Sequence, residues 1–257
     1  MFLRFRRHLP ALALAVLAGA CGSDSSTGLT TTQPVTLDQA LAELSLPALA
    51  ATGPSFVDIG GAGSLDPTRC PYSAASQSFV CAALSESGVT VNASFSLLNA
   101  SGGKQSAFDQ ATTAAVRANT TISGTLVEAG TTLAIDGQQE LTLSGLLTGP
   151  HTLNGASSIK LKGTIVDGTT SFPLDVTVTS TITNLVLPAD AAPGAQVWPK
   201  SGTIVVESSG TVSGLSIGTT RLTMTFSGTS TVNLTVTGPG VSQSCKVDLA
   251  KGEPACG

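Results

Sequence analysis

Five cysteines, one G-x-S-x-G pentapeptide and two histidines are the residues of this 257-residue chain whose types could carry chemistry. Gly214-Leu215-Ser216-Ile217-Gly218 has the spacing of a nucleophile elbow, where a strand-to-helix turn exposes a serine hydroxyl and a later histidine takes its proton. Here the residues that follow, Thr220 to Phe226, alternate like a strand, and no histidine lies beyond His151. A hairpin turn is expected instead. His151 sits in Gly149-Pro150-His151-Thr152, a turn-like segment, and is expected to be solvated. His8 belongs to an N-terminal leader, so one histidine remains and H-E-x-x-H metal chemistry is excluded. Gly61-Ala62-Gly63 lacks the third glycine and the βαβ setting of a dinucleotide site. The acids are scattered and single out no carboxylate pair. No catalytic residue, metal site or cofactor is expected.

The cysteines divide into one and four. Cys21 closes the leader, and Cys70, Cys81, Cys245 and Cys256 form the even set that a disulfide framework requires. Three pairings are possible. Cys70 with Cys81 and Cys245 with Cys256 is favoured, because each closes a short local loop of the same length. A loop of that size contributes about 3 kcal/mol in the chain-entropy model. Neither pair has the C-x-x-C spacing of a zinc site.

The leader spans residues 1–20. Arg4, Arg6 and Arg7 give it a basic start, Leu9 to Leu17 an apolar run, and Ala18-Gly19-Ala20 a small-residue end. This is the layout of a secretory signal peptide, and its apolar run is shorter than the roughly 20 residues a spanning helix needs. Leu17-Ala18-Gly19-Ala20-Cys21 resembles the lipobox of bacterial lipoproteins, with one departure: Ala18 stands where Leu is usual, and Leu17 lies one residue early. The resemblance implies a diacylglycerol on Cys21, cleavage before it, and acylation of the new N-terminus. One acyl chain anchors only marginally at about 0.8 kcal/mol per buried methylene, but several on one cysteine make release negligible. Residues 21–34 then read as the lipidated cysteine and a flexible tether, rich in Ser, Thr and Gly. Gly22 follows the cysteine where an Asp would retain such a protein at the inner membrane, which implies the outer membrane. The membrane is thus the one expected partner, apart from a possible apolar ligand.

Composition sets further bounds. Without Arg4, Arg6 and Arg7 the chain keeps 9 basic residues against 16 acidic, a net charge of −7. That balance repels phosphate backbones and excludes the usual electrostatic footprint of nucleic-acid binding. Charged residues are 11% of the chain, against roughly 25% in ordinary domains. Ser and Thr, about a quarter of the residues, fill much of the gap. Threonine suits strands because its β-branch packs on a pleated surface.

The elements that would position any site begin with one helix. Thr36 and Gln39 have capping-box spacing, and Leu37, Ala40, Leu41 and Leu44 make one apolar face over residues 37–45 before Pro47. From about residue 78 the period becomes two. Val89 to Leu97, Ile122 to Leu126, Leu141 to Leu147, Ile159 to Ile165, Phe172 to Ile182 and Leu222 to Val236 each alternate, with apolar residues on one face and mostly hydroxyls on the other. Such alternation describes antiparallel strands buried on one face. Asp136-Gly137 and Asp167-Gly168 are hairpin signals. Gly124, Gly145, Gly163 and Gly228 fall inside strand patterns, where glycine often marks a bend.

The expected fold is therefore all-β: one domain over residues 35–257, with long strands in a strongly curved sheet, barrel or half-barrel. The alternative is a two-sheet sandwich. Aromatics, 4% of the chain, are too few for the girdles of a membrane barrel. In outline this is similar to half-barrel lipoproteins that carry lipids or lipoproteins across the periplasm. The resemblance implies a non-enzymatic, tethered envelope protein whose sheet binds an apolar ligand. The rival expectation is a structural or adhesive surface protein that uses exposed loops such as Pro188 to Gly202, with Trp198, the only tryptophan. Expression in a bacterial host tests the anchor: wild type should carry lipid mass and sediment with membranes, and Cys21→Ser should be released. If both forms are soluble and unlipidated, the lipobox expectation falls.

Overall fold

The computed structural model describes residues 69–128, 130–167, 170–187, 198–249 and 253–256. The expected signal peptide, tether and helix 37–45 lie outside the described residues, as does most of the loop from 188 onward.

The described chain is a run of strands: β1 (Tyr72–Ser73), β2 (Ser78–Val80), β3 (Leu84–Glu86), β4 (Val89–Asn99), β5 (Lys104–Gln105), β6 (Thr113–Glu128), β7 (Thr131–Ser144) and β8 (Thr152–Asp167). There follow β9 (Thr170–Val186), β10 (Ser201–Val212), β11 (Leu215–Ser216), β12 (Thr220–Phe226), β13 (Thr231–Gly238), β14 (Val241–Asp248) and β15 (Glu253–Cys256). They form a single antiparallel meander, ordered β1-β2-β4-β6-β7-β8-β9-β10-β12-β13-β14-β15, with β3 and β5 also on β4 and β11 on β10. The expected all-β class is present. The end of the sheet where β6 joins β7, β8 joins β9 and β13 joins β14 is called its lower end.

Period two and a continuous set of cross-strand partners line up one face across the whole sheet. Tyr72, Phe79, Phe95, Ala118, Leu141, Gly155, Ile182, Ile204, Met224, Leu234, Cys245 and Cys256 are successive Cα partners on twelve strands. One step higher, Leu97, Val116, Leu143, Leu153 and Leu185 are neighbours across five strands, and each is 0% exposed. Burying an aliphatic side chain fully is worth about 1.5–3 kcal/mol, so this upper band holds much of the stability. A bulge on β9 makes the last member possible. The register shifts between Leu153 and Gly155, Asn184 takes φ 48°, and its amide donates to Asn154 Oδ1 at 2.7 Å. Ile182 and Leu185, three apart, then both face the core.

The strongly curved barrel or half-barrel is corrected: the sheet is open, with β1 and β15 as its ends, and it is not strongly curled. The in-strand glycines have a more local purpose. A Cβ on Gly124 would lie 2.2 Å from the Gly88 carbonyl oxygen, and one on Gly163 would lie 2.0 Å from that of Thr132. Both have positive φ, 147° and 156°, so they admit close approach of the neighbouring strand without bending the sheet to closure. The other two glycines are outside strands. Gly145 follows β7, and Gly228, at φ 80°, lies between β12 and β13. The apparent single run from Leu222 to Val236 is thus a hairpin whose four-residue link keeps the parity of both strands.

Asp136-Gly137 is also corrected. It lies inside β7, paired with Ser123 and Ile122 on one side and Lys160 and Ile159 on the other. A turn there would have broken two ladders. Asp167 does end a strand, pairing with Thr170 at the start of the next.

Both cysteine pairs match the favoured assignment, at S–S distances of 2.04 Å for Cys70–Cys81 and 1.99 Å for Cys245–Cys256. They sit at opposite ends of the sheet and tie down its outermost short strands. Replacing Cys245 and Cys256 together by Ala should cost about 3 kcal/mol. In a domain this size that lowers the unfolding midpoint by roughly 6–12 °C, read by circular dichroism. An unchanged midpoint would show that β15 is not held by this link.

Candidate functional site

Strand alternation gives the sheet two faces of different chemistry. The outer face is hydroxyl-rich: Thr177, Thr179, Thr181 and Thr183 follow one another down β9, and Thr203, Thr223, Thr225 and Thr235 continue the pattern on later strands. Two cross-strand ion pairs lie on it, Lys162–Asp175 at 3.4 Å and Arg221–Glu207 at 3.0 Å. Each joins residues directly opposite in the ladder, and such exposed pairs contribute about 0.2–1 kcal/mol.

The inner face carries two apolar clusters. The upper one follows the rows just described. The lower one consists of Val89, Val91, Ile122, Ile135 and Ile159, with Leu126, Leu133, Leu161 and Val178 only partly buried against it. Between them the face turns polar for four strands. Thr120, Gln139, Ser157 and Ser180 are successive cross-strand partners on β6, β7, β8 and β9. At about 4.8 Å between strands this row is roughly 14 Å wide.

The row is the least conventional part of the core face. Ser180 is 6% exposed, and the other three residues are half-buried. None of the four side chains has a hydrogen-bond partner among the described residues, although no sealed polar atom is left unpartnered. Their polar atoms therefore keep access to solvent. Other buried polar residues differ. Thr113 donates to Gln105 Oε1 at 2.9 Å, and Ser78 shares a 2.7 Å bond with Ser76. Ser96, buried and likewise unpartnered among the described residues, lies on the opposite parity of β4. Solvent access spares the groups of the row the cost of an unmet buried hydroxyl, and they add no internal bond among the described residues that would stabilise the fold. The row can offer hydroxyl donors and acceptors and one carboxamide to a molecule lying on the face.

The residues singled out from sequence fall elsewhere. Cys21 and Gly61-Ala62-Gly63 lie outside the described residues. Ser216 is exposed in β11, its Oγ accepts from the Gly218 amide at 3.2 Å, and the next long element is a strand. His151 is corrected: it is 7% exposed rather than solvated. The return after β7 is tight, with a Cβ on Gly145 only 2.4 Å from the Pro150 carbonyl, and the His151 carbonyl accepts from Leu187 N at 2.8 Å. That closure tucks the imidazole in. Trp198 is half-buried, and Pro199 beside it is buried. Among the described residues no three His, Cys, Asp or Glu side chains are grouped to hold a metal ion. No protein-family model, curated protein or solved structure matches the chain.

Since the row makes no side-chain hydrogen bonds among the described residues, apolar replacement should not weaken the fold. Gln139→Leu and Ser180→Ala are each expected to leave the unfolding midpoint unchanged or raised, because no partner is orphaned. A loss above about 1 kcal/mol in either variant would mean the row is structural after all.

Proposed function

We propose that this chain is a non-enzymatic lipoprotein of the cell envelope, anchored through lipid on Cys21, that holds an apolar ligand against the lower inner face of its sheet. The observation that carries the binding half is the partial cover of that face. Leu126, Leu133, Leu161 and Val178 are aliphatic and only partly buried, on four adjacent strands, beside five buried residues of the same cluster. Partly covered aliphatic side chains gain from a ligand that removes them from water. An open sheet suffices for this, because the ligand lies along a face and needs no closed barrel.

The two cysteine pairs support an oxidising compartment outside the cytoplasm. Gly22 after the lipidated position favours the outer membrane. The absence of catalysis is part of the same proposal: Ser216 stands in a hairpin without the helix a nucleophile elbow requires.

One observation favours a second function, adhesion or a structural surface role. The threonine column on β9 and its neighbours form an extended hydroxyl-rich face, on which two ion pairs balance their own charge. The two are separable. Cys21→Ser protein, exported and purified, should yield a co-purifying apolar molecule on organic extraction and mass spectrometry. A consistently empty protein counts against ligand carriage. If adhesion to surfaces were also lost in Thr179→Lys/Thr181→Lys, the second role would replace it.

A further inference from the structure

Building on the lower inner face as a ligand surface, we infer that the ligand is an uncharged amphiphile whose polar group is held by Thr120, Gln139, Ser157 and Ser180. The polar row and the partly covered aliphatic residues share the four strands β6 to β9: Val178 is next to Ser180 on the face, and the buried Ile122, Ile135 and Ile159 separate the row from Leu126, Leu133 and Leu161. One molecule touching both must be polar at one end and aliphatic at the other.

Its charge follows from what surrounds the row. The next row below contains Ile122, Gly137, Ile159 and Val178, and the next above contains Ala118, Leu141, Gly155 and Ile182. None of these twelve positions is charged. A carboxylate or phosphate desolvated here would find no counter-charge in these rows, whereas a hydroxyl, ester or amide finds matching donors and acceptors. The ion pairs Lys162–Asp175 and Arg221–Glu207 lie on the other face and do not alter this.

Ser180 is the strongest single pointer. It is 6% exposed, its hydroxyl has no partner among the described residues, and it sits in the row beside Ser157. A ligand oxygen at the row would meet that hydroxyl. The tail length follows from the strands. From Thr120 to Leu126 and from Gln139 to Leu133 is six residues, about 20 Å at 3.3 Å per residue, the length of a long acyl chain.

The test uses the whole mature chain as Cys21→Ser, stripped of bound lipid, with diphenylhexatriene as a purely apolar fluorescent probe. Monooleoylglycerol, with its hydroxyls and ester, should displace the probe at about tenfold lower concentration than oleate. In Ser180→Ala/Gln139→Leu the monooleoylglycerol advantage should disappear while diphenylhexatriene still binds. Should that double variant not fold, Ser180→Ala alone should weaken monooleoylglycerol by about threefold. If neither diphenylhexatriene nor monooleoylglycerol binds, the apolar-ligand function itself fails, and this inference with it. Probe binding with oleate equal to or better than monooleoylglycerol, or an advantage that survives the substitutions, overturns the polar-row assignment alone.

Discussion

The structure depends on one constraint: twelve strands must keep a common register so that a single transverse row stays on the core face. From Tyr72 to Cys256 each member of that row is the Cα partner of the next. A one-residue slip in any ladder would send every apolar side chain beyond it to the Thr-rich face. Burial enforces the register most firmly at the upper end, where Leu97, Val116, Leu143, Leu153 and Leu185 are fully enclosed. The β9 bulge shifts parity on its strand and serves the same end by turning Leu185 inward; a second shift lies between β4 and β6 at Leu98 and Asn99.

A meander of this kind has two edges, and open edges invite pairing with other chains. The ends are treated alike. On one side β4 is lined by the short strands β2, β3 and β5, and Cys70–Cys81 secures β1 and β2. On the other, β15 covers Cys245 to Asp248 and is tied by Cys245–Cys256. Four-residue and shorter strands contribute little pairing of their own, so a covalent link is an economical way to keep them in place. The cysteines therefore belong to the same problem as the register. They hold the terminal members of the ladder that the core row crosses.

The fold class and the cysteine pairing were legible in the sequence because both are local. Alternation over Phe172 to Ile182 or Val89 to Leu97 needs no knowledge of neighbours, and each cysteine pair closes a short stretch of chain. What failed was whatever depends on neighbours. Asp136-Gly137 has the composition of a turn, yet two flanking ladders keep it in a strand. Gly228 sits in a true turn that period two could not reveal, because its four-residue link preserves parity. Gly124 and Gly163 were legible as unusual but not as sites of close strand approach. His151 looked solvated from its Gly-Pro context and is enclosed by a return that only the fold creates.

The polar row is the extreme case of that dependence. Thr120, Gln139, Ser157 and Ser180 are spread over sixty residues, and each alone passes for a tolerated hydroxyl or amide within an alternating strand. Only the register makes them adjacent, and only adjacency makes them a polar row. Val206, Leu222 and Val236 show what the same row becomes beyond Ser180, where β10, β12 and β13 continue it with aliphatic side chains. The sheet can thus place apolar residues at this level and does so on one side. On the other it keeps four polar groups without partners among the described residues, above an apolar cluster that is partly covered at Leu126, Leu133, Leu161 and Val178. The later strands fill the same level with aliphatic side chains, so the polarity of these four positions is not a demand of the register but a property of β6 to β9 themselves.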